Sequence, residues 1–290
     1  MQPTFVEGVG GLPLATWEMG AGEADGPILL VAHATGFHSR CYRAMAEALA
    51  DRLRVVAFDC RGHGRSGTPD LTAADDGRVP TMDWGCFAQD ALAVVDGLAL
   101  HGIVGFGHSS GGAALLMAEE RRPGTFGAIY AYEPVVAPPE VWSRMGERGD
   151  PSQAALRRRP VFASRAAALE HFASKPPLSS MRGDVLVDYV EGGFADRPDG
   201  AVSLRCDPAT EAATYRMAVH TGAWEILAEI ACPVTVACGG PKADFGRGLA
   251  IAVADRLPQG RVEEHPHLGH LGPFEDPEAV ADAVAATLAG

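Results

Sequence analysis

Short, continuous apolar runs alternate with stretches of helical spacing along most of this chain. Two alternating segments, Thr4–Glu7 and Leu12–Met19, flank the glycine-rich Gly8–Gly11 and predict an opening hairpin. After them the runs become apolar on both faces: Pro27–Ala32, Arg54–Phe58, Ile103–Phe106, Gly127–Tyr132, Pro233–Cys238 and Arg261–Glu264 read as strands. Ser39–Asp51, Asp83–Leu98, Gly111–Arg121, Gly246–Leu257 and Pro277–Leu288 read as helices, the first from the spacing of Tyr42, Met45, Ala46 and Leu49. A strand apolar on both faces needs cover on both. The alternation therefore predicts an α/β fold, a mostly parallel eight-stranded sheet flanked by helices.

The rhythm breaks after Glu133-Pro134. Residues 137–220 are helical and irregular, punctuated by Pro138-Pro139, Pro160, Pro176-Pro177 and Gly192-Gly193, before the strand pattern resumes at Pro233. An insert between the sixth and seventh strands of a parallel sheet lies over their carboxyl ends, where such sheets bind ligands. The expected organisation is a core of residues 1–136 and 221–290 with a mainly helical cap of residues 137–220.

Composition narrows the function. The 290 residues carry a net charge of −13, which repels phosphate backbones and anionic membrane surfaces, so neither nucleic acid nor membrane is an expected partner. The one basic run, Arg157-Arg158-Arg159, is short and reads as a solvated helix face. Met1–Glu7 lacks the basic and apolar regions of a secretory signal, and no apolar stretch is long enough to span a bilayer. The six cysteines, at 41, 60, 86, 206, 232 and 238, form no C-x-x-C pair and read as reduced small hydrophobes. A cytoplasmic location is expected.

The chemistry starts at Gly107-His108-Ser109-Ser110-Gly111, a G-x-S-x-G pentapeptide between a predicted strand and a predicted helix. That context makes Ser109 a candidate nucleophile on a sharp turn, with glycines where a Cβ would not fit. The turn also puts the Ser110 amide at a helix N-terminus, where an oxyanion can be held. The Thr35 amide, in His33-Ala34-Thr35-Gly36-Phe37 after another strand, is the second candidate donor.

A serine nucleophile needs a base and a carboxylate to orient it. His270, in the loop after the last strand, is the candidate base. Chain order favours Asp244 as the acid; Glu133, at the end of the preceding strand, is the alternative. His265, His267 and His270 mimic a metal-ligand cluster, but the serine turn supplies a nucleophile without one, and no metal or cofactor is expected. Asp59–Gly67 contains Gly62 and Gly64 beside His63 but lacks the G-K-[ST] ending of a phosphate loop. It reads as a structured turn beside the site.

Together the His33–Gly36 loop, the D-x-R-G-H-G-x-S turn (Asp59 to Ser66), the Ser109 turn and the terminal segment with Gly269, His270, Glu275 and Pro277 resemble the α/β-hydrolase superfamily. The resemblance is to its cap-bearing branch of esterases, C–C hydrolases, haloalkane dehalogenases and epoxide hydrolases, and covers nearly the whole chain outside the cap. Ala34 stands where the family usually has glycine. Gly239–Asp244 is longer than the usual spacing to the acid, and some dehalogenases of the branch use a glutamate where Glu133 stands. Dehalogenases and most epoxide hydrolases of the branch use an aspartate nucleophile, whose ester intermediate water can open; a serine ether would be a dead end.

The resemblance thus implies acyl chemistry on a small molecule: a carboxylic ester, lactone or thioester, cleaved through a Ser-His-Asp/Glu triad. A C–C bond hydrolase or lyase on the same triad is the alternative, with Arg157, Arg158, Arg159 or Arg182 as candidates to hold a substrate carboxylate. A binding protein that keeps the fold, and an enzyme acting on a carrier-bound acyl chain, are the readings from other classes. The sequence leaves the oligomeric state open, a homodimer included.

Overall fold

Leu29 and Val31 pack into one hydrophobic cluster while Ile28, Leu30 and Ala32, one position away along the same strand, pack into another. That alternation is the two-residue period of a strand buried on both faces. The computed structural model describes residues 2–20, 26–71, 82–142, 149–218, 222–241 and 245–289. Among these, the strands are β1 (Thr4–Glu7), β2 (Pro13–Met19), β3 (Ile28–Ala32), β4 (Arg54–Phe58), β5 (Ile103–His108), β6 (Phe126–Tyr132), β7 (Val161–Phe162), β8 (Phe194–Asp196), β9 (Val202–Leu204), β10 (Val234–Gly239) and β11 (Gly260–His265).

Eight of them form one sheet in the order β1-β2-β4-β3-β5-β6-β10-β11. β1 pairs with β2 and β2 with β4 in antiparallel fashion, and every later pairing is parallel. Helices α2 (Trp84–Gly97) and α3 (Ser110–Arg121) bury Phe87, Ala91, Val94 and Leu115 on one face of the sheet. On the other face lie α1 (Arg43–Ala48), with Met45 buried, and the final helix, Pro277–Ala289, with Val280 and Val284 buried. Asp83 caps α2 by accepting from the Cys86 amide at 2.7 Å.

The chain between β6 and β10 carries α4 (Pro151–Leu156), α5 (Arg165–Ala173), α6 (Gly183–Gly193) and α7 (Pro208–Met217). It also holds a small antiparallel sheet of order β7-β9-β8, which the sequence does not announce. Strands of two or three residues are too short to show a period. The remaining helices are α8 (Gly246–Ala254), α9 (Gly272–Glu275) and α10 (Pro277–Ala289). No helix among the described residues is long and apolar enough to cross a membrane.

Candidate active site

Ser109 joins the end of β5 to the start of α3 with φ +55° and ψ −116°, in the left-handed half of backbone space. Its flanking glycines are sterically required. A Cβ on Gly107 would lie 2.5 Å from Gly112 Cα, and one on Gly111 would lie 2.0 Å from the Ala32 carbonyl oxygen. The Ser109 amide donates to Tyr132 O at 2.9 Å, and Ser109 O accepts from the Gly112 and Val135 amides, so the strained turn is held from both sides. Ser109 is 7% exposed. Ser110 opens α3, so its N–H is among those a helix leaves without an internal partner.

His270 lies in the loop after β11, and its Nδ1 is 2.8 Å from Glu133 Oε2. Glu133 follows β6 at φ +43°, a conformation that costs a non-glycine residue energy and turns its carboxylate across the ends of β6 and β10. There Oε1 accepts from the Gly239 amide at 3.0 Å and Oε2 from the Phe245 amide at 3.5 Å. Burial pushes the Glu133 carboxyl up, but the hydrogen bond and charge of His270, with the two amides, outweigh it and hold the group below the usual glutamate range. With an acceptor at Nδ1, that nitrogen carries the proton and Nε2 is the nitrogen left to act as a base. Asp244, which chain order favours as the acid, lies outside the described residues. The carboxylate that reaches His270 among the described residues is Glu133.

A lowered carboxyl pKa ties stability to pH. The stabilisation from ionised Glu133 is complete above the usual glutamate range and is lost as pH falls through the lowered value. The gap in unfolding free energy between wild type and Glu133→Gln should therefore close in acid. Denaturant titrations at neutral and acid pH check this, and a gap that stays constant contradicts it.

Other side chains fix the His270 loop. Tyr132 Oη donates to Gly269 O at 2.9 Å, and Glu275 Oε2 accepts from the Gly269 amide at 2.8 Å. Tyr132 gave no signal in the sequence beyond its place next to Glu133. His265 Nε2 is engaged by Tyr130 Oη at 2.8 Å. Among the described residues no group of three His, Cys, Asp or Glu is placed to hold a metal ion.

The loop after β3 is ordered by His33. The Cys60 amide donates to His33 Nε2 at 2.8 Å, so the ring proton sits on Nδ1 and is given to Ala34 O, also at 2.8 Å. Burial, with His63 nearby, pushes the His33 pKa down to about 3, so this tautomer persists at neutral pH. The Phe37 amide adds a second bond to Ala34 O at 3.1 Å. In a trans peptide the N–H points opposite the C=O, so fixing Ala34 O also fixes the direction of the Thr35 N–H. The Asp59–Ser66 turn is a brace. Asp59 accepts from Trp17 Nε1, Ser39 N and Arg65 N, and Arg61 is paired with Asp90 at 2.7 Å in full burial.

A family model described as "Alpha/beta hydrolase family" matches residues 28–283. The chain belongs to that family. It is 34% identical over 104 residues to a magnesium-chelatase 30 kDa subunit of Rhodobacter capsulatus, covering 36% of this chain and 34% of that protein. It is 37% identical over 103 residues to a bifunctional esterase/perhydrolase of Acinetobacter calcoaceticus, covering 35% and 34%. The match thus spans about a third of the length of these two curated relatives. The crystal structure of E-2-(acetamidomethylene)succinate hydrolase aligns with a TM-score of 0.81 over 99% of both chains, at 20% identity. That likeness is one of fold.

In this α/β hydrolase, the chain between β6 and β10 meets the β3 and β4 loops. A Cβ on Gly36 would lie 2.8 Å from Glu211 Oε1 and 3.5 Å from Arg158 Nη1, and one on Gly62 would lie 2.3 Å from Thr210. Arg158 is paired with Glu211 and hydrogen-bonded to Tyr189 Oη. The other arginines singled out in the sequence lie elsewhere. Arg157 is exposed, Arg159 stacks over Phe162 at 4.5 Å, and Arg182 pairs with Asp184 and Glu278 near the surface. Only Arg158 of the four is brought beside the Thr35 loop.

Proposed function

We propose that this α/β hydrolase is a cofactor-free serine hydrolase that cleaves a small or medium acyl compound through Ser109, His270 and Glu133. The observation that carries the reading is the 2.8 Å contact between His270 Nδ1 and buried Glu133, in a loop tied to the strand that ends at the Ser109 turn. In the proposed cycle Ser109 Oγ attacks the substrate carbonyl carbon while His270 Nε2 takes its proton. Glu133 holds the imidazole tautomer and stabilises the imidazolium. The Thr35 and Ser110 amides hold the oxyanion. Collapse expels the alcohol or thiol, which leaves with the proton from His270, and Ser109 carries the acyl group. Water, deprotonated by His270, attacks the acyl carbon; the acid departs and Ser109 regains its proton. Treating the free wild-type protein with a fluorophosphonate tests the serine chemistry: modification of Ser109 and loss of ester cleavage are expected together.

Residues 137–220 are proposed as a cap that limits the size of the substrate. Phe245, 5.5 Å from the His270 ring, and Trp142 beyond it give the approach to the histidine an apolar wall. Short-chain and aryl esters should be cleaved faster than emulsified long-chain triglyceride, with no jump in rate at the solubility limit. Faster cleavage of the emulsion would overturn the size argument.

A further inference from the structure

The residue before the nucleophile is a fully buried histidine whose two ring nitrogens are both spoken for. His108 Nε2 is 2.8 Å from the carbonyl oxygen of His270, and its Nδ1 is 2.8 Å from Tyr42 Oη. Tyr42 Oη in turn accepts from the Ala34 amide at 3.2 Å. The direction of each bond is forced. A carbonyl only accepts, so Nε2 carries the ring proton; Nδ1 then accepts, so the Tyr42 hydroxyl donates to it and offers a lone pair to Ala34 N–H. The chain runs from the loop that carries Thr35, through α1's preceding turn, across the Ser109 turn, to the backbone of His270.

We infer that Tyr42 and His108 are positioning residues that lock the oxyanion-donor loop and the His270 loop to the Ser109 turn through this one ordered set of hydrogen bonds. The inference rests on the serine-hydrolase reading above and adds to it how the parts are kept in register. The three loops follow β3, β5 and β11, far apart in sequence; the Tyr132 hydroxyl, the Glu275 carboxylate and the His270–Glu133 contact act on the last of them. Phe274 packs on both Tyr42, at 4.9 Å, and His108, at 5.3 Å, so neither ring can turn away from its partner. Burial and the nearness of His270 hold His108 well below its usual pKa, which keeps the Nδ1 lone pair available to Tyr42. Both side chains are fully buried, and both His108 nitrogens are engaged by Tyr42 and the His270 carbonyl. Their effect on rate comes from geometry, and a small misplacement of a reacting group can cost about a hundredfold.

The test uses the full chain with Tyr42→Phe, His108→Ala and His108→Gln. Tyr42→Phe keeps the ring and its packing and deletes one hydroxyl; the glutamine can still reach the His270 carbonyl with an N–H. Three quantities are measured for each: folded fraction by circular dichroism, kcat and KM on a short ester, and the rate of Ser109 modification by a fluorophosphonate. The expected result is a folded Tyr42→Phe and His108→Ala with kcat and modification rate down about tenfold to a hundredfold, KM little changed, and much of the rate regained in His108→Gln. Wild-type kcat in both Tyr42→Phe and His108→Ala overturns the inference. So does a loss that follows only the folded fraction, or one that appears in KM alone. A wild-type protein that takes no fluorophosphonate at Ser109 overturns the serine reading itself, which separates that failure from this one.

Discussion

Ser109→Ala is expected to fold like wild type and to lose about 10⁴-fold or more in turnover, the scale of loss when a triad nucleophile is removed. Alanine fills the same backbone position, and the turn is held by main-chain bonds to Tyr132, Gly112 and Val135 that the substitution leaves in place. Ser110 cannot stand in. Two residues before it is His108, fully buried and committed to Tyr42 and His270, where a turn of this kind needs glycine. Ester cleavage is measured on protein whose folding is checked by its thermal transition. Wild-type-like cleavage by a folded Ser109→Ala protein removes Ser109 from the mechanism.

The second large effect separates the two candidate acids. Glu133→Gln is expected to cost about 10³- to 10⁴-fold in kcat, the scale seen when a triad carboxylate becomes an amide and the histidine tautomer is no longer fixed. Asp244→Asn is expected to cost far less, because His270 Nδ1 already has its partner at 2.8 Å in Glu133. A carboxylate also shifts the balance electrostatically, since Glu133 sits ionised in a buried place with two backbone amides on it. Parallel kinetics of the two variants decide the matter: a crippled Asp244→Asn beside an active Glu133→Gln would reverse the assignment.

Why the sequence leaned toward Asp244 has a physical explanation. Both candidates follow strands that turn out to be neighbours, since Tyr132 at the end of β6 pairs with Ala237 of β10. Either could then stand at the same end of the sheet. What brings Glu133 to the histidine is its backbone at φ +43° and the amides of Gly239 and Phe245 that receive its carboxylate, and neither leaves a pattern in the chain.

The Ser109 turn is legible for the opposite reason. Its pattern is written within a few residues: glycines at 107 and 111, where a Cβ would collide with Gly112 and with Ala32 of the neighbouring strand, and a strand and a helix on either side. The parallel sheet is legible because burial on both faces writes itself as unbroken apolar runs such as Ile28–Ala32. The small β7-β9-β8 sheet and the Tyr42–His108 contact are not, since both depend on pairing residues far apart in the chain.

In the proposed mechanism Ser109 is made reactive by His270 and Glu133. The most direct measurement of that reactivity is the rate at which a fluorophosphonate modifies the protein, with the adduct located by fragment-ion mass spectrometry, in wild type, His270→Ala and Glu133→Gln. One adduct per chain is expected, on Ser109 and not on Ser110, formed as ester cleavage disappears, and slowed strongly in both variants. An adduct on another residue, or modification of Ser109 at the wild-type rate without His270 or Glu133, would contradict the mechanism.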